Sequence, residues 1–558
     1  MTVKKKTRIR QRVLQTLSLF CFFYLLFNTV YPLTSALTVD IYMRLDPLVT
    51  VAVPLAARAF SPALIAGLLT LVSGFFLGRA FCGYICPMGA ALDMARCALN
   101  QLPQKTASQA AASPRPRRVK FLILALIVGA ALLGCNLAFW ASPMAILTRF
   151  FAVWLYPALL WSGNAAVSFG QALFHALDMN GLVYSQVPPR AFGDIFILVF
   201  FGLLVLMERK QPRFWCRNVC PAGALIALVS RKPRFLRRGV GKDCVSCGLC
   251  AKKCPMSAIS EDGRETTFGE CLVCRACAAV CPKDCISFDP ARAVPEDARA
   301  EDRAPYLPSR RSFLLSAGAG AALAVWDKAS AANTAALGAE DQEALNGSLR
   351  PPGALPEKDF LARCLRCGQC LKACPNNALR SGDLHDGNWG GLFSPVFSPR
   401  EGGPCEPDCN VCGQVCPSRA IAPLTRENKM WAKIGTAALQ KERCLAIAEN
   451  RRCVVCQEVC PYGAVDLVLP ADRNVSIPMV NERACTGCGF CMHACPVPGE
   501  SAIVIVPRGT LRLPEGADYQ KEGRKRGYHF EPGGRYGEDA ETGTDAASGG
   551  KPPPGFTN

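Results

Sequence analysis

Residues 244–255 read CVSCGLCAKKCP and residues 271–282 read CLVCRACAAVCP. Both follow the spacing C-x2-C-x2-C-x3-C-P. Three cysteines of one short loop curl around one corner of a cubane cluster, and the fourth, held away by the proline turn, reaches a neighbouring cluster. Cys244, Cys247, Cys250 and Cys281 are therefore expected to hold one [4Fe–4S] centre, and Cys271, Cys274, Cys277 and Cys254 a second. Structural zinc would present two separated C-x2-C pairs and not this run of four. An α+β ferredoxin-like domain is expected over residues 231–292.

The signature recurs downstream. Cys364, Cys367, Cys370, Cys374; Cys405, Cys409, Cys412, Cys416; Cys444, Cys453, Cys456, Cys460; and Cys485, Cys488, Cys491, Cys495 form four more quartets, and proline follows the last cysteine of each. Six quartets at four ligands per cluster imply six [4Fe–4S] centres. The chain holds 32 cysteines in 558 residues, nearly all in these short spacings, which points to metal centres before disulfides. The net charge of +19 raises nucleic acid as a partner, but the basic residues gather beside apolar spans and form no stripe with interleaved aromatics. No nucleotide loop or catalytic triad is present, so no catalytic residue is assigned and cluster chemistry carries the function.

The first half reads as a polytopic α-helical membrane domain, residues 1–230. Four stretches, about 13–33, 60–78, 121–140 and 192–207, are apolar and near the length that crosses a bilayer. Thirteen basic residues (Lys4, Lys5, Lys6, Arg8, Arg10, Arg12, Arg79, Arg96, Lys105, Arg115, Arg117, Arg118, Lys120) lie before the first stretch and between the second and third, against four on the other side (Arg44, Arg58, Arg149, Arg190). That bias puts the N-terminus in the cytoplasm of a bacterial inner membrane. The run FFAVWLYPALLW at 150–161 is too short to span and is expected to be interfacial or re-entrant. After the second and fourth stretches come FCGYICPMGA at 81–90 and FWCRNVCPAGA at 214–224, an internal CxxxCP repeat. Cys82 with Cys86 and Cys216 with Cys220 could converge on one further cluster, act as redox thiols near a quinone, or simply shape two helix ends. Cys21, Cys97, Cys135 and Cys285 fall outside every repeated motif.

Residues 309–326, SRRSFLLSAGAGAALAVW, place an arginine pair before a small-residue apolar run, a twin-arginine segment over 309–327. Linkers are expected at 293–308 and 328–350, a four-cluster domain at 351–513 and a disordered tail at 514–558. Ala329-Ser330-Ala331 is a possible cleavage site, and the alternative is a retained fifth helix.

On these motifs, residues 1–230 resemble NapH, the membrane component of a quinol dehydrogenase serving periplasmic nitrate reductase. Residues 231–290 resemble its two-cluster ferredoxin tail. Residues 309–513, with FSPVFSPREGGPCEPDCNVCGQVCP at 393–417 and the gap between Cys444 and Cys453, resemble the exported polyferredoxin NapG. The resemblance implies a NapH–NapG fusion with the quinone pool as donor and a periplasmic cytochrome or reductase as acceptor. It also implies nested pairing: Cys364, Cys367, Cys370 with Cys495; Cys485, Cys488, Cys491 with Cys374; Cys405, Cys409, Cys412 with Cys460; and Cys444, Cys453, Cys456 with Cys416. Two other readings stay open: a maturation or maintenance factor for copper oxidases or nitrous oxide reduction, and a cytoplasm-facing module fed by soluble ferredoxin. The four histidines, His175, His385, His493 and His529, lie outside the apolar stretches, so a bis-histidine membrane haem is not expected.

Overall fold

The computed structural model describes residues 3–33, 40–99, 114–176, 195–231, 233–290, 307–336, 348–383, 389–471 and 473–530. They divide into two compact units. The first holds the described residues through Ser398 with Cys409–Thr425 and Arg512–Ala517; the second holds Pro399–Asp408, Arg426–Leu511 and the described residues from Asp518. The four-quartet stretch is thus shared between the units.

Helices dominate the first unit. Val3–Asn28, Pro62–Leu77, Pro114–Leu132 and Ile195–Lys210 overlie the four apolar stretches. The third ends eight residues before the expected boundary at 140, because Gly134 adopts a left-handed φ of 87° and the Cys135 N–H bonds back to the Ala130 carbonyl. An αL residue with a six-to-one bond of this kind stops a helix and satisfies its last carbonyls. Caps link two further helices: the Asp46 carboxylate accepts from the Leu48 N–H at the start of Pro47–Ala57 and from Ser142 Oγ at 2.6 Å, and Ser142 caps Pro143–Phe150.

The run at 150–161 is not a separate twelve-residue element. Pro143–Phe150, a π-helical turn at Phe151–Leu155 and Tyr156–Ala176 form one uninterrupted helical path, because the following small and helix-tolerant residues carry the helix onward. By length and composition, Pro143–Gln171 is the one helix among the described residues long and apolar enough to cross a membrane; Pro47–Ala57 and Pro62–Leu77 are shorter apolar helices. Arg310–Ala336 is a single helix, so the expected linker at 328–350 begins as helix. It packs along Pro114–Leu132 in the same direction: a Cβ at Gly129 would run into the Ala317 carbonyl, one at Gly320 into that of Leu126, and Lys328 Nζ donates to the Leu133 carbonyl. Small residues at such a crossing let two backbones approach closely.

In this half a mainly apolar core also encloses charged side chains. Phe20, Leu69 and Trp326 are 67%, 64% and 73% exposed, whereas Arg79 and Lys120 are fully buried. Those two cations flank Glu270, with Arg79 Nη1 at 2.7 Å, and together they tie the helices to the first ferredoxin-like domain. Exposed large apolar side chains and a buried ion-pair network therefore occur together in this half.

Paired strands brace the cysteine loops. In the first unit β1 (Arg237–Val240) pairs antiparallel with β2 (Ile286–Asp289), and β3 (Leu379–Ser381) with β4 (Pro395–Phe397). In the second, β5 (Thr436–Leu439) pairs with β8 (Ile503–Val506) and β6 (Val465–Val468) with β7 (Ile477–Val480). The tail expected to be disordered from 514 is ordered through Phe530: Tyr519–Lys525 is helical, Tyr519 and Phe530 are buried, and Phe530 meets Trp431 edge-on at 5.4 Å. A few aromatics outweigh a polar composition there. Residues 531–558 and 293–306 lie outside the described residues.

Candidate metal centres

The loops spaced C-x2-C-x2-C share one backbone solution. In each, the residues on both sides of the middle cysteine are left-handed: Ser246 and Gly248 (φ 51° and 70°), Val273 and Arg275 (55° and 56°), Arg366 and Gly368 (50° and 77°), Gly487 and Gly489 (74° and 84°). Alternating handedness turns successive N–H groups to the inside of the curve and makes a nest for negative charge. The Cys405 and Cys444 loops have longer first gaps, and the residue after the second cysteine of each, Asn410 (φ −132°) and Val454 (φ −124°), stays in ordinary space. Amides also point at individual sulfurs. The N–H four residues past a pre-proline cysteine donates to Cys254, Cys374 and Cys460 Sγ at 3.3–3.4 Å, from Ala258, Ala378 and Ala464. Bonds of this kind tune a cluster held there.

Three cavities show which cysteines share a space. One of ≈ 350 Å³ is lined by Cys244, Cys247, Cys250 and Cys281, and another of ≈ 350 Å³ by Cys254, Cys271, Cys274 and Cys277, the groupings that spacing leads one to expect. Arg238, buried on β1, borders both; it donates to Thr266 Oγ1 at 2.7 Å and the Gly263 carbonyl at 2.8 Å, and reaches Cys250 Sγ at 3.7 Å. Cys285, which belongs to no motif, lines the first cavity with its Sγ 3.4 Å from that of Cys281. Among the described residues no three His, Cys, Asp or Glu side chains close around a single ion. Three thiols from one loop and a fourth from another is a donor set that suits a cubane.

The nested pairing of the last four quartets is not what the structure shows. A cavity of ≈ 310 Å³ in the second unit brings Cys485, Cys488 and Cys491 together with Cys460, where Cys374 was expected. In the first unit the Cys416 thiol acts on Cys364, Cys367 and Cys370, where Cys495 was expected, and Cys495 acts on Cys456 in the second. Cys460 thus shares a space with the Cys485 loop, and Cys416 lies within electrostatic reach of the Cys364 loop. Cys374, Cys409 and Cys412 belong to the first unit and Cys405 to the second.

The two CxxxCP repeats meet. Cys86, Cys216 and Cys220 are buried in one core with Cys82 packed against it, and the Cys82 and Cys216 thiols act on both Cys86 and Cys220. The first repeat is fixed to the Val3–Asn28 helix by Gln11 Nε2 to the Gly83 carbonyl (2.9 Å) and Ser18 Oγ to that of Ile85 (2.6 Å). It is fixed to the 271–281 loop by Tyr84 Oη to the Val273 carbonyl (2.9 Å). A Cβ on Gly83 would lie 2.5 Å from the Leu272 carbonyl, so glycine permits this approach. At the other end of the helices, Lys372 Nζ donates to the Thr29 carbonyl at 3.0 Å and Arg149 Nε to that of Arg366 at 2.5 Å, seating the Cys364 loop. Sequence reading passed over Arg79, Arg213, Arg238 and Glu270. For the first two a signal existed: each stands three residues before the first cysteine of its repeat.

A family model described as a 4Fe-4S binding domain matches residues 59–103 and 194–242, which contain the CxxxCP repeats, and another of that description matches residues 360–380. Among curated relatives, the methylamine utilization ferredoxin-type protein MauM of Methylorubrum extorquens is 39% identical over 168 residues, 29% of this chain and 73% of that protein. The ferredoxin-type protein NapG of Escherichia coli is 37% identical over 198 residues, 33% of this chain and 82% of NapG. The ferredoxin-type protein NapF of the same organism is 34% identical over 156 residues, 28% of this chain and 84% of NapF. No solved structure matches the chain. Over about a third of its length, and with cysteine loops built to hold iron–sulfur clusters, the chain belongs to the ferredoxin-type electron-transfer proteins that include MauM and NapG.

Proposed function

We propose that this chain is a membrane-bound relay that takes electrons from quinol and delivers them to a periplasmic reductase, the nitrate reductase system foremost. In this reading a NapH-like helical half and a NapG-like polyferredoxin are joined in one polypeptide. The observation that carries it is the placement of cysteine loops at the two ends of the helices. From Gln11, beside the first CxxxCP repeat, to Thr29, beside Lys372, the chain advances eighteen residues, or ~27 Å at the helical rise. That is close to the ~30 Å hydrocarbon core of a bilayer. The exposed apolar side chains of the helices, Phe20, Leu69 and Trp326 among them, support a lipid surround. The shared direction of Arg310–Ala336 and Pro114–Leu132 puts the arginine pair at the Arg117 end, where Arg117 Nη1 donates to the Ser257 carbonyl of the first ferredoxin-like domain. The exported region then follows from the opposite end.

Six [4Fe–4S] clusters are proposed on the six quartets, with Cys416 joining the Cys364 loop and Cys460 the Cys485 loop, and a seventh on Cys82, Cys86, Cys216 and Cys220. Such a centre, when bound, supplies reversible one-electron transfer. The chain's own groups hold the thiolates, aim amides at the sulfurs and keep water out of the buried loops. Protease added to intact spheroplasts should cut within 351–513, and membranes carrying the chain should oxidise a quinol analogue. Protection of 351–513 with reduction by soluble ferredoxin alone would favour a cytoplasm-facing entry module. Full iron content without quinol oxidation would favour a maturation factor.

A further inference from the structure

The arginines of the two CxxxCP repeats are crossed. Arg79 precedes Cys82 by three residues, yet its Nη2 donates to the carbonyl of Cys216, in the other repeat, at 3.4 Å. Arg213 precedes Cys216 by three residues, and its Nη1 donates to the carbonyl of Cys82 at 3.0 Å. Two glycines, each three residues past the second cysteine of a repeat, face the crossing arginines, and Gly223 makes room for Arg79. A Cβ at Gly89 would stand 3.4 Å from Arg213 Nη1, and one at Gly223 would stand 2.5 Å from Arg79 Nη2. R-x2-C-x3-C-P-x-G is therefore the full repeat, and its arginine and glycine positions serve the opposite copy.

Both cations are almost completely buried, and both are oriented by carboxylates: Arg79 by Glu270, which also holds Lys120, and Arg213 by Asp93 through Nη2 at 2.6 Å and Nε at 3.1 Å. Asp46 and Glu208 are the other acidic groups that face these thiols. A helix end needs no cation from a distant repeat, whereas four thiolates gathered in a buried space need positive charge nearby.

We infer that Arg79 and Arg213 are positioning residues for a single metal centre shared by the two repeats, each clamping the opposite cysteine turn and setting its guanidinium beside the thiolates. This rests on the reading that Cys82, Cys86, Cys216 and Cys220 hold one [4Fe–4S] cluster, and the two fail separately. The test uses the full chain, purified anaerobically in detergent, with iron and sulfide analysis and a redox titration followed by electron paramagnetic resonance. Cys82→Ser and Cys216→Ser should each remove the same signal; if iron, sulfide and all signals are unchanged, the cluster reading falls. With that signal identified, Arg213→Met should move its midpoint potential to more negative values and leave the other centres in place, because loss of a nearby positive charge disfavours the added electron. Arg213→Lys should return it toward wild type. An unmoved potential in the Met variant, or equal shifts at every centre, overturns the inference. If the Met variant loses all its iron, Gly223→Ala decides: its methyl would stand 2.5 Å from Arg79 Nη2 and crowds that cation without removing it, and a shift confined to the same signal supports the clamp, while an unmoved signal overturns it.

Discussion

Two kinds of four-thiol site stand side by side in this molecule. The loops spaced C-x2-C-x2-C take three thiols from one short segment and shape it through the backbone, by paired left-handed residues and inward amides. The CxxxCP site takes two thiols from each of two short helical turns, 134 residues apart along the chain (Cys82 to Cys216), and fixes them with crossed side chains in a buried core. A backbone-built site tolerates changes in its surroundings, while a side-chain-built site depends on packing between distant segments. The difference suits their places, since the loops occur in ferredoxin-like segments braced by their own strands and the crossed site is fixed between helices.

Metal removal should separate the two kinds most strongly. Burial above all pushes the thiols of Cys271, Cys367, Cys456 and Cys488 up to about 12 from an ordinary 9.0. Their folded-state values are raised, so the stability of the metal-free protein is full below about pH 9 and is lost as pH rises toward 12. Chelator-stripped protein followed by circular dichroism across that range should show it, and holoprotein, with its thiolates bound to metal, should not.

Next in size, Glu270→Gln leaves two buried cations without their shared carboxylate and should cost about 3–5 kcal/mol, measured by thermal unfolding in detergent. It should disturb the crossed site through Arg79 and spare the second unit. If the iron at 444–495 were lost in equal measure, the independence of the two kinds of site would be disproved. Gly129→Leu should cost about 1–3 kcal/mol by overpacking the contact with Ala317 and should loosen Arg310–Ala336, read as faster protease cleavage near residue 330. A local effect is expected for Gly248→Ala, where a left-handed φ of 70° costs about 1–2 kcal/mol and the new methyl would also stand 2.8 Å from the Glu261 carbonyl. It should slow cluster loading at Cys244, Cys247, Cys250 and Cys281 without changing the iron finally bound.

The cavities around Cys244 and Cys271 were legible because both quartets lie in one stretch and spacing alone dictates which cysteine leaves its own loop. The nested pairing over 364–495 failed because four similar quartets admit several exchanges, and strand pairing chooses among them: β5 with β8 and β6 with β7 hold the third and fourth quartets together. The helix through 150–161 was misjudged in length, since an apolar run ends at Trp161 while helical backbone does not. Order at 519–530 was missed because three aromatics carried too little weight against a polar composition.

The sequence by itself determined the donor chemistry: thiolates at these spacings, with a proline after each final cysteine, leave iron–sulfur binding as the use that fits, because ligand geometry is local. Only the tertiary structure decided which cysteine loops come together, that the two CxxxCP turns meet, and that their arginines cross. Those outcomes depend on helix packing and buried charge between segments more than a hundred residues apart, such as Arg79 and Glu270, and no local spacing records them.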